Sequence, residues 1–231
     1  MSTLMLIALL ACTTLFGGPC DTLRSRATAL PQEKTVVCIG DSLTSGNVPN
    51  YPDPNPWPYY LQLRLDDSFD RWSVVNLGVT STMLLDESSI PYRATGNIEV
   101  AKELAPDVAL VMLGTNDTFD PSWNPDAYSY ELEALVDDLK SARSDMRVVL
   151  MVPCHVFCDP NPQGSGVFHM NDELIGTEIR PRIYDVAEAT NSQVVDLYAL
   201  TEGHPEWFPD TVHPNTEANM AIADYVYEQV F

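Results

Sequence analysis

Short apolar runs alternate along the chain with longer stretches in which apolar residues recur at helical spacing. The runs are rich in Val, Ile and Leu and predict five buried strands, at Thr35–Gly40, Trp72–Leu77, Val108–Leu113, Arg147–Val152 and Gln193–Leu197. The stretches between and after them predict five helices, at Tyr59–Leu65, Ile98–Leu104, Tyr128–Ala142, Asp172–Ala189 and Thr216–Val230, with Asn215 as the N-cap of the last. Helical crossovers make the strands parallel, so the pattern predicts an α/β domain whose sheet is covered by helices on both faces.

Polar and glycine residues follow the predicted strands. Ser42 follows the first strand, Gly78 the second and Asn116 the third, and a segment rich in Pro and Gly, residues 153–170, follows the fourth. Ligands of parallel α/β sheets bind beyond the carboxyl ends of the strands. The sequence therefore predicts a functional site at that edge.

The stretch Val48–Pro58 contains five prolines and predicts a stiff, ordered loop. Three aromatic residues lie at or just after its end, Trp57, Tyr59 and Tyr60. Packing against the core is the favoured interpretation of these aromatics, and stacking on a sugar ring is the alternative.

The charge balance is strongly acidic, with 33 Asp and Glu against 12 Lys and Arg and a formal net charge of −21. A polyanion would be repelled, which argues against nucleic acid or an anionic membrane as a partner. An acidic surface suited to salty surroundings and an ordinary acidic secreted protein are equally compatible with this balance.

Residues 1–20 contain no charged side chain, and the apolar run Leu4–Leu10 is too short to span a bilayer. We interpret 1–20 as an export signal, 21–33 as a polar linker and 34–231 as one domain. The segment ending in Cys12 loosely resembles a bacterial lipobox, in which that cysteine is lipidated. A lipid anchor at Cys12 is thus the only membrane attachment that the sequence suggests.

Three cysteines lie in the expected domain. Cys38 falls in an apolar strand and is expected to be a small buried residue. In an exported protein, Cys154 and Cys158 are the natural candidates for a disulfide, because a short turn can bring them within bridging range. A zinc site built from Cys154, His155 and Cys158 is the alternative, although no fourth ligand is evident at metal-site spacing.

Candidate chemistry stands near the two ends of the domain. Ser42 lies on a predicted strand-to-loop turn, and His213 has a carboxylate, Asp210, three residues before it. A serine hydroxyl becomes an effective nucleophile when a nearby imidazole takes its proton, and a carboxylate can orient that imidazole. These residue types favour a hydrolase.

Four segments, in this order, resemble the SGNH (GDSL) hydrolase superfamily. They are Gly40-Asp41-Ser42-Leu43, Asn76-Leu77-Gly78, Gly114-Thr115-Asn116-Asp117 and Asp210-Thr211-Val212-His213-Pro214-Asn215. Each is weak alone, but their order and their places after strands or before the last helix make the resemblance specific. The resemblance implies a three-layer αβα sandwich with a central five-stranded parallel sheet, a flavodoxin-like arrangement.

The resemblance also assigns roles. Ser42 is expected to be the nucleophile, His213 its general base and later acid, and Asp210 the carboxylate that orients the imidazole. The backbone N–H of Ser42, the backbone N–H of Gly78 and the side-chain amide of Asn116 are expected to form the oxyanion hole. A glycine at 78 would let the substrate oxygen approach the backbone closely.

Structural roles remain as alternatives at several of these positions. One alternative is that Asp41 and Ser42 only satisfy the amides of their turn. Another is that Asp210 only caps the turn before the last helix. Asp41 and Asp117 are expected to be structural rather than catalytic. The remaining histidines, His155, His169 and His204, are expected in loops or on the surface, with His169 in a segment that could line the pocket.

The leading functional hypothesis is an exported serine esterase that hydrolyses short acyl esters, most plausibly acetyl groups on a carbohydrate. A lysophospholipase or thioesterase-like lipase with longer acyl specificity is the alternative within enzymes. A non-catalytic binding module on the same fold is the alternative outside them. The sequence indicates no cofactor and no metal, and the expected partner is a small-molecule or carbohydrate ester.

Overall fold

A computed structural model describes residues 30–48, 53–161, 163 and 166–231. The expected signal at 1–20, including Cys12, and the linker as far as residue 29 lie outside the described residues. The described chain enters β1 at Glu33, one residue before the expected start of the domain. No helix within the described ranges is long and apolar enough to cross a bilayer.

Five parallel strands form one sheet in the order β2-β1-β3-β4-β5. The strands are β1 (Glu33–Gly40), β2 (Arg71–Asn76), β3 (Val108–Met112), β4 (Arg147–Val152) and β5 (Gln193–Asp196). The predicted β4 is confirmed to the residue, and the other four differ by one or two residues at an end. All five residues of β3 are buried, which explains why the central strands read as uninterrupted apolar runs.

The helices form two groups. They are α1 (Ser42–Ser45), α2 (Trp57–Asp66), α3 (Asn97–Leu104), α4 (Pro125–Ala142), α5 (Asp172–Leu174), α6 (Arg180–Thr190), α7 (Leu197–Thr201) and α8 (Thr216–Val230). Helix α2 packs on α8, whereas α4 packs on both α3 and α6. With right-handed crossovers, this strand order places the two groups on opposite faces of the sheet. The expected three-layer αβα architecture is therefore confirmed.

The predicted helix Asp172–Ala189 is interrupted. A π-helical turn, Ile175–Ile179, separates α5 from α6, and Pro181 stands in the first turn of α6. Proline has no N–H to donate to the preceding turn, so the hydrogen-bond ladder is broken there. By contrast α8 has the predicted bounds, and the Asn215 side chain accepts from the Ala218 N–H as its N-cap.

The aromatic residues at the start of α2 have different environments. Trp57 is fully buried in the core, as the favoured interpretation expected. The Tyr60 hydroxyl donates to the buried carboxylate of Asp53. Tyr59 differs from both, because 46% of its surface is exposed.

Candidate active site

Ser42 is the first residue of the single-turn helix α1, directly beyond the carboxyl end of β1. The Asp41 side chain caps this turn by accepting the Leu43 N–H at 2.9 Å. Gly46 ends the turn in the left-handed conformation, with φ of 66°. Ser42 is 6% exposed, so its hydroxyl is held in a tight turn just beneath the surface.

The imidazole of His213 joins Ser42 to Asp210. Its Nε2 lies 3.0 Å from the Ser42 Oγ, and its Nδ1 lies 2.7 Å from the Asp210 Oδ2. Ser42 and His213 are separated by 171 positions along the chain. The two ends of the domain thus meet at the carboxyl edge of the sheet, as the sequence predicts.

Asp210 both orients the imidazole and caps its own turn. Its Oδ1 accepts the backbone N–H groups of Val212 and His213, at 3.0 and 2.7 Å, while its Oδ2 faces the ring. Partial burial opposes ionisation, but these hydrogen bonds, with that of the His213 ring foremost, hold the pKa of Asp210 below its ordinary value. Capping and orientation are therefore compatible functions of one carboxylate.

Gly78 follows β2 and lies against α1, the helix that begins with Ser42. A Cβ at this position would stand 2.5 Å from the Ser45 nitrogen and 2.9 Å from the Ser45 Cα. A glycine at 78 is expected to admit a substrate oxygen, and the structure adds a second reason for it: the backbone of α1 occupies the space. The Gly78 N–H donates to the Asn76 side-chain oxygen at 2.9 Å.

Asn116 follows β3 in a 3₁₀ turn and is 3% exposed. One hydrogen of its side-chain amide is donated to the Thr82 carbonyl at 3.0 Å. The second hydrogen of the same NH₂ group remains for another acceptor. Thr82 therefore fixes the rotation of an amide that can still donate towards a bound oxyanion.

Asp117 holds the loop that carries Thr82. Its two carboxylate oxygens accept the N–H groups of Leu84 and Leu85, each at 3.0 Å. These contacts agree with the structural role expected for Asp117. Burial raises the pKa of Asp117 to about 6, and burial likewise raises that of Asp41 to about 6.

A second histidine–carboxylate pair lies in the segment after β4. His155 Nδ1 is 3.0 Å from each oxygen of Asp172, which also accepts the Val156 N–H and the Tyr198 hydroxyl. The His155 ring stacks on that of Tyr198, with centroids 3.5 Å apart. His155 thus lies in a loop, as expected, and anchors that loop to α5 and α7.

The other two histidines lie in loops, as expected. His169 Nδ1 contacts the Asp159 carbonyl at 3.0 Å, and His204 stacks on Trp207 and pairs with Glu206. The neighbouring Phe168 has a direct connection to the site, because its ring meets that of His213 edge-on, at 5.3 Å between centroids.

The disulfide expected between Cys154 and Cys158 is wrong. Both are free thiols, as is the buried Cys38. Cys154 is buried, and the Cys158 thiol instead donates to the Met170 carbonyl at 3.3 Å. Spacing alone suggested the bridge, but the side chains have separate environments. Within the described part of the chain, no three His, Cys, Asp or Glu side chains converge on a metal-sized position, so the zinc alternative finds no support there.

Sequence reasoning missed three contributors to the site. Asn76 was quoted in a motif without a role, yet its amide donates to the Thr44 carbonyl and its oxygen accepts from Gly78. An Asn two residues before a Gly is a detectable signal, because an Asn side chain commonly accepts the backbone N–H two residues later. Phe168 and Asp172 carry no local signal, because only the tertiary fold brings them to His213 and His155.

Comparisons with known proteins found an esterase that is similar to this chain in sequence. An acetylxylan esterase from Xylanibacter ruminicola is 28% identical over 203 residues, which cover 83% of this chain and 42% of the relative. The chain therefore spans less than half the length of that curated relative.

Solved structures share the fold at lower identity. A catalytic mutant of Axe2, an acetylxylan esterase from Geobacillus stearothermophilus, superposes with a TM-score of 0.65 at 20% identity, covering 87% of this chain and 96% of that one. A lipase/acylhydrolase from Enterococcus faecalis gives 0.67 at 19% identity, covering 85% and 95%.

The family comparison covers most of the domain. Residues 38–221 match the GDSL-like Lipase/Acylhydrolase family, a span that includes the segments of Ser42, Gly78, Asn116 and His213. The expected resemblance to the SGNH (GDSL) group is thereby confirmed. The chain belongs to the GDSL-like lipase/acylhydrolase family.

Proposed function

We propose that this protein is an exported esterase that removes acetyl groups from a carbohydrate, with Ser42, His213 and Asp210 as its catalytic triad. The observation that carries the proposal is the continuous line of contacts from the Asp210 carboxylate through the His213 ring to the Ser42 hydroxyl. His213 accepts the Ser42 proton as the hydroxyl attacks the ester carbonyl, and later gives it to the leaving alcohol. Asp210 holds the Nδ1–H tautomer, so that Nε2, which faces the Ser42 hydroxyl, carries the lone pair that accepts the proton.

Three donors would stabilise the oxyanion: the backbone N–H of Ser42, the backbone N–H of Gly78 and the second amide hydrogen of Asn116. Preorganised donors of this kind act where charge develops in the transition state. The Gly78 N–H already donates to Asn76, so the oxyanion would share or displace that contact.

The acetyl and carbohydrate parts of the proposal rest on similarity to the acetylxylan esterases. The net charge of −21 supports a neutral substrate over a polyanion and argues against nucleic acid as a partner. Export rests on the apolar residues 1–20. Attachment to a membrane would require lipidation of Cys12.

Hydrolysis of p-nitrophenyl acetate and release of acetate from acetylated xylan test the proposal. We expect Ser42→Ala to abolish both activities and to lose labelling by a fluorophosphonate probe. Turnover by Ser42→Ala at the wild-type rate would refute serine catalysis. An intact wild-type protein that neither hydrolyses an ester nor reacts with the probe would indicate a binding module instead.

A series of p-nitrophenyl esters from C2 to C12 separates the acetyl esterase from the lipase alternative. Each methylene that a fitting channel buries contributes about 0.8 kcal/mol, so a lipase should gain in kcat/KM with chain length. We expect the highest kcat/KM at C2. A maximum at C8 or longer would favour the lysophospholipase or thioesterase-like alternative.

A further inference from the structure

A cleft of about 340 Å³ lies at the edge of the sheet beside Gly78. Its lining combines one aromatic ring, two prolines, one valine and uncharged polar side chains, and it includes Ser45, Asn55, Pro56, Tyr59, Gln62 and Asn76. Neither the triad nor the oxyanion donors belong to this lining, so the cleft is a separate feature of the surface.

Two of the residues that line the cleft connect it to the candidate active site. Ser45 is the last residue of α1, the helix that begins with Ser42. Asn76 accepts the N–H of Gly78 and donates to the Thr44 carbonyl. A ligand seated in the cleft therefore lies next to the oxyanion donors.

The opposite wall is rigidly attached to the nucleophile turn. Gly46, which ends α1, leaves no room for a Cβ, because the Pro56 ring would stand 2.8 Å away. Pro56 precedes α2, and the Tyr59 N–H donates to its carbonyl at 2.9 Å. A ligand bound between Ser45 and Pro56 would therefore lie beside α1.

Tyr59 presents an available ring in this cleft. It is 46% exposed, and its edge-on contact with Tyr60, at 5.3 Å between centroids, fixes one side of the ring. Tyr60 is itself tied to the buried Asp53. The Tyr59 hydroxyl makes no hydrogen bond to another described residue, so it can donate to a ligand.

The charge of the cleft selects the kind of ligand. No Asp, Glu, Lys or Arg is among the described residues that line it, although 33 acidic residues give the protein its charge. The larger cleft at the amino ends of the strands is different, because it is lined by Lys34, Asp70, Asp107, Arg143, Asp145 and Arg147. A neutral ligand fits the first cleft.

We propose that this cleft is a binding subsite for a sugar ring of a neutral glycan chain, with Tyr59 as its stacking platform. The C–H face of a pyranose ring packs on an aromatic face, while hydroxyl and amide groups such as those of Ser45 and Asn55 accept and donate hydrogen bonds. The subsite holds a sugar unit beside the one whose ester is cleaved. This inference rests on the proposed function and names the part of the substrate that is recognised.

The test compares two substrates in four proteins: the wild type, Tyr59→Ala, Tyr59→Trp and Tyr130→Ala. Tyr130 is a matched control, since it is a 73% exposed tyrosine on α4, the other helical layer. The measured quantity is kcat/KM for an acetylated xylo-oligosaccharide divided by kcat/KM for p-nitrophenyl acetate. We expect Tyr59→Ala to lower this ratio about five- to tenfold through a higher KM for the oligosaccharide, Tyr59→Trp to restore it, and Tyr130→Ala to match the wild type.

A wild-type ratio in Tyr59→Ala would overturn the subsite while leaving the proposed esterase intact. An equal loss on both substrates would also overturn it, because that result indicates a structural effect. If the wild type does not deacetylate the oligosaccharide, the proposed function fails, and calorimetric titration of Ser42→Ala with unacetylated xylohexaose then tests the subsite directly. Binding that is lost in Ser42→Ala/Tyr59→Ala would support the subsite, and undetectable or unchanged binding would refute it.

Discussion

The backbone N–H of Phe157 donates to the carbonyl of Thr211 at 2.7 Å. Thr211 stands between Asp210 and His213 and adopts a left-handed conformation, with φ of 78°. Such a conformation is unfavourable for a residue with a β-branched side chain and persists where its surroundings hold it. The loop after β4 thus supports the turn that presents the imidazole.

Asp172 anchors that supporting loop, so its loss should affect catalysis at a distance. We expect Asp172→Ala to lower kcat about tenfold with little change in KM, because a displaced imidazole aligns poorly with the serine. The free energy of unfolding should fall by about 1–3 kcal/mol, since the Val156 N–H and the His155 ring lose their acceptor.

Tyr198→Phe is the milder companion of this variant. It removes one hydrogen bond to Asp172 and keeps the ring that stacks on His155. It should cost about 1 kcal/mol of stability and leave kcat within a few-fold of the wild type. A wild-type kcat in Asp172→Ala would show that the loop does not position His213.

Asp210→Asn tests the orientation of the imidazole. The side-chain oxygen can still accept from Val212 and His213, but an NH₂ group would face the ring nitrogen Nδ1. We expect kcat to fall about 10³- to 10⁴-fold with the fold preserved, as steady-state kinetics and circular dichroism would show. A loss smaller than tenfold would mean that Asp210 only caps the turn.

Asn116→Ala removes the side-chain donor from the proposed oxyanion hole. We expect kcat to fall about 10²- to 10³-fold while KM for p-nitrophenyl acetate changes little, because the oxyanion exists only near the transition state. Thr82→Ala serves as a control, because the Asn116 amide donates to the Thr82 backbone carbonyl, which this variant keeps. If Asn116→Ala instead raised KM and left kcat unchanged, Asn116 would bind the substrate equally well before and in the transition state.

Gly78→Ala should damage both stability and activity. Its new Cβ would collide with the Ser45 backbone, so α1 and Ser42 must shift, at a cost of about 1–3 kcal/mol. Gly96→Ala is the matched control, because Gly96 has φ of 79° but open space around its Cβ position. It should cost a comparable amount through backbone strain, about 1–2 kcal/mol, and retain activity. Equal activity in the two variants would contradict the proposed contact between Gly78 and the nucleophile turn.

The stability of the protein should depend on the buried carboxyl of Asp41. Burial raises the pKa of Asp41 from 3.8 to about 6. Between pH 3.8 and about 6, the native state therefore keeps a proton on Asp41 that the unfolded chain has released. The resulting stabilisation is present at low pH and is lost as the pH rises through about 6. Denaturation with urea at pH 5 and pH 7.5 should show a contribution of about 1 kcal/mol at pH 5.

Asp41→Asn is the control for this pH dependence. Asparagine can still cap α1 through its side-chain oxygen, but it cannot ionise. We expect the difference in stability between pH 5 and pH 7.5 to shrink in this variant. An unchanged difference would assign the effect to other groups, with Asp117 the first to examine.

Much of this architecture could be predicted from the sequence because its signals are local. Strands that are buried on both faces, such as β4, are visible in the sequence as apolar runs. The N-cap at Asn215 is predictable because it depends only on that side chain and the helical turn directly after it. The four motifs each lie at the end of a strand or before α8, where parallel topology brings them together. Ser42 and His213 could therefore be paired without coordinates.

The remaining features depend on contacts between distant segments. Spacing suggested a bridge between Cys154 and Cys158, but tertiary packing directs the Cys158 thiol to Met170. The pair of His155 and Asp172 is 17 residues apart, and no short motif contains both residues. Packing of Gly78 against α1 likewise cannot be read from the residues around that glycine.

The separation of Ser42 from His213 by 171 positions has a consequence for biogenesis. The serine is synthesised early and its base late, and native long-range contacts must form before proton transfer between them is possible. A nascent or truncated chain that lacks α8 and the turn before it would contain the nucleophile in an unreactive state. If the proposed triad is correct, ester hydrolysis therefore reports that the chain has folded as far as the turn of His213.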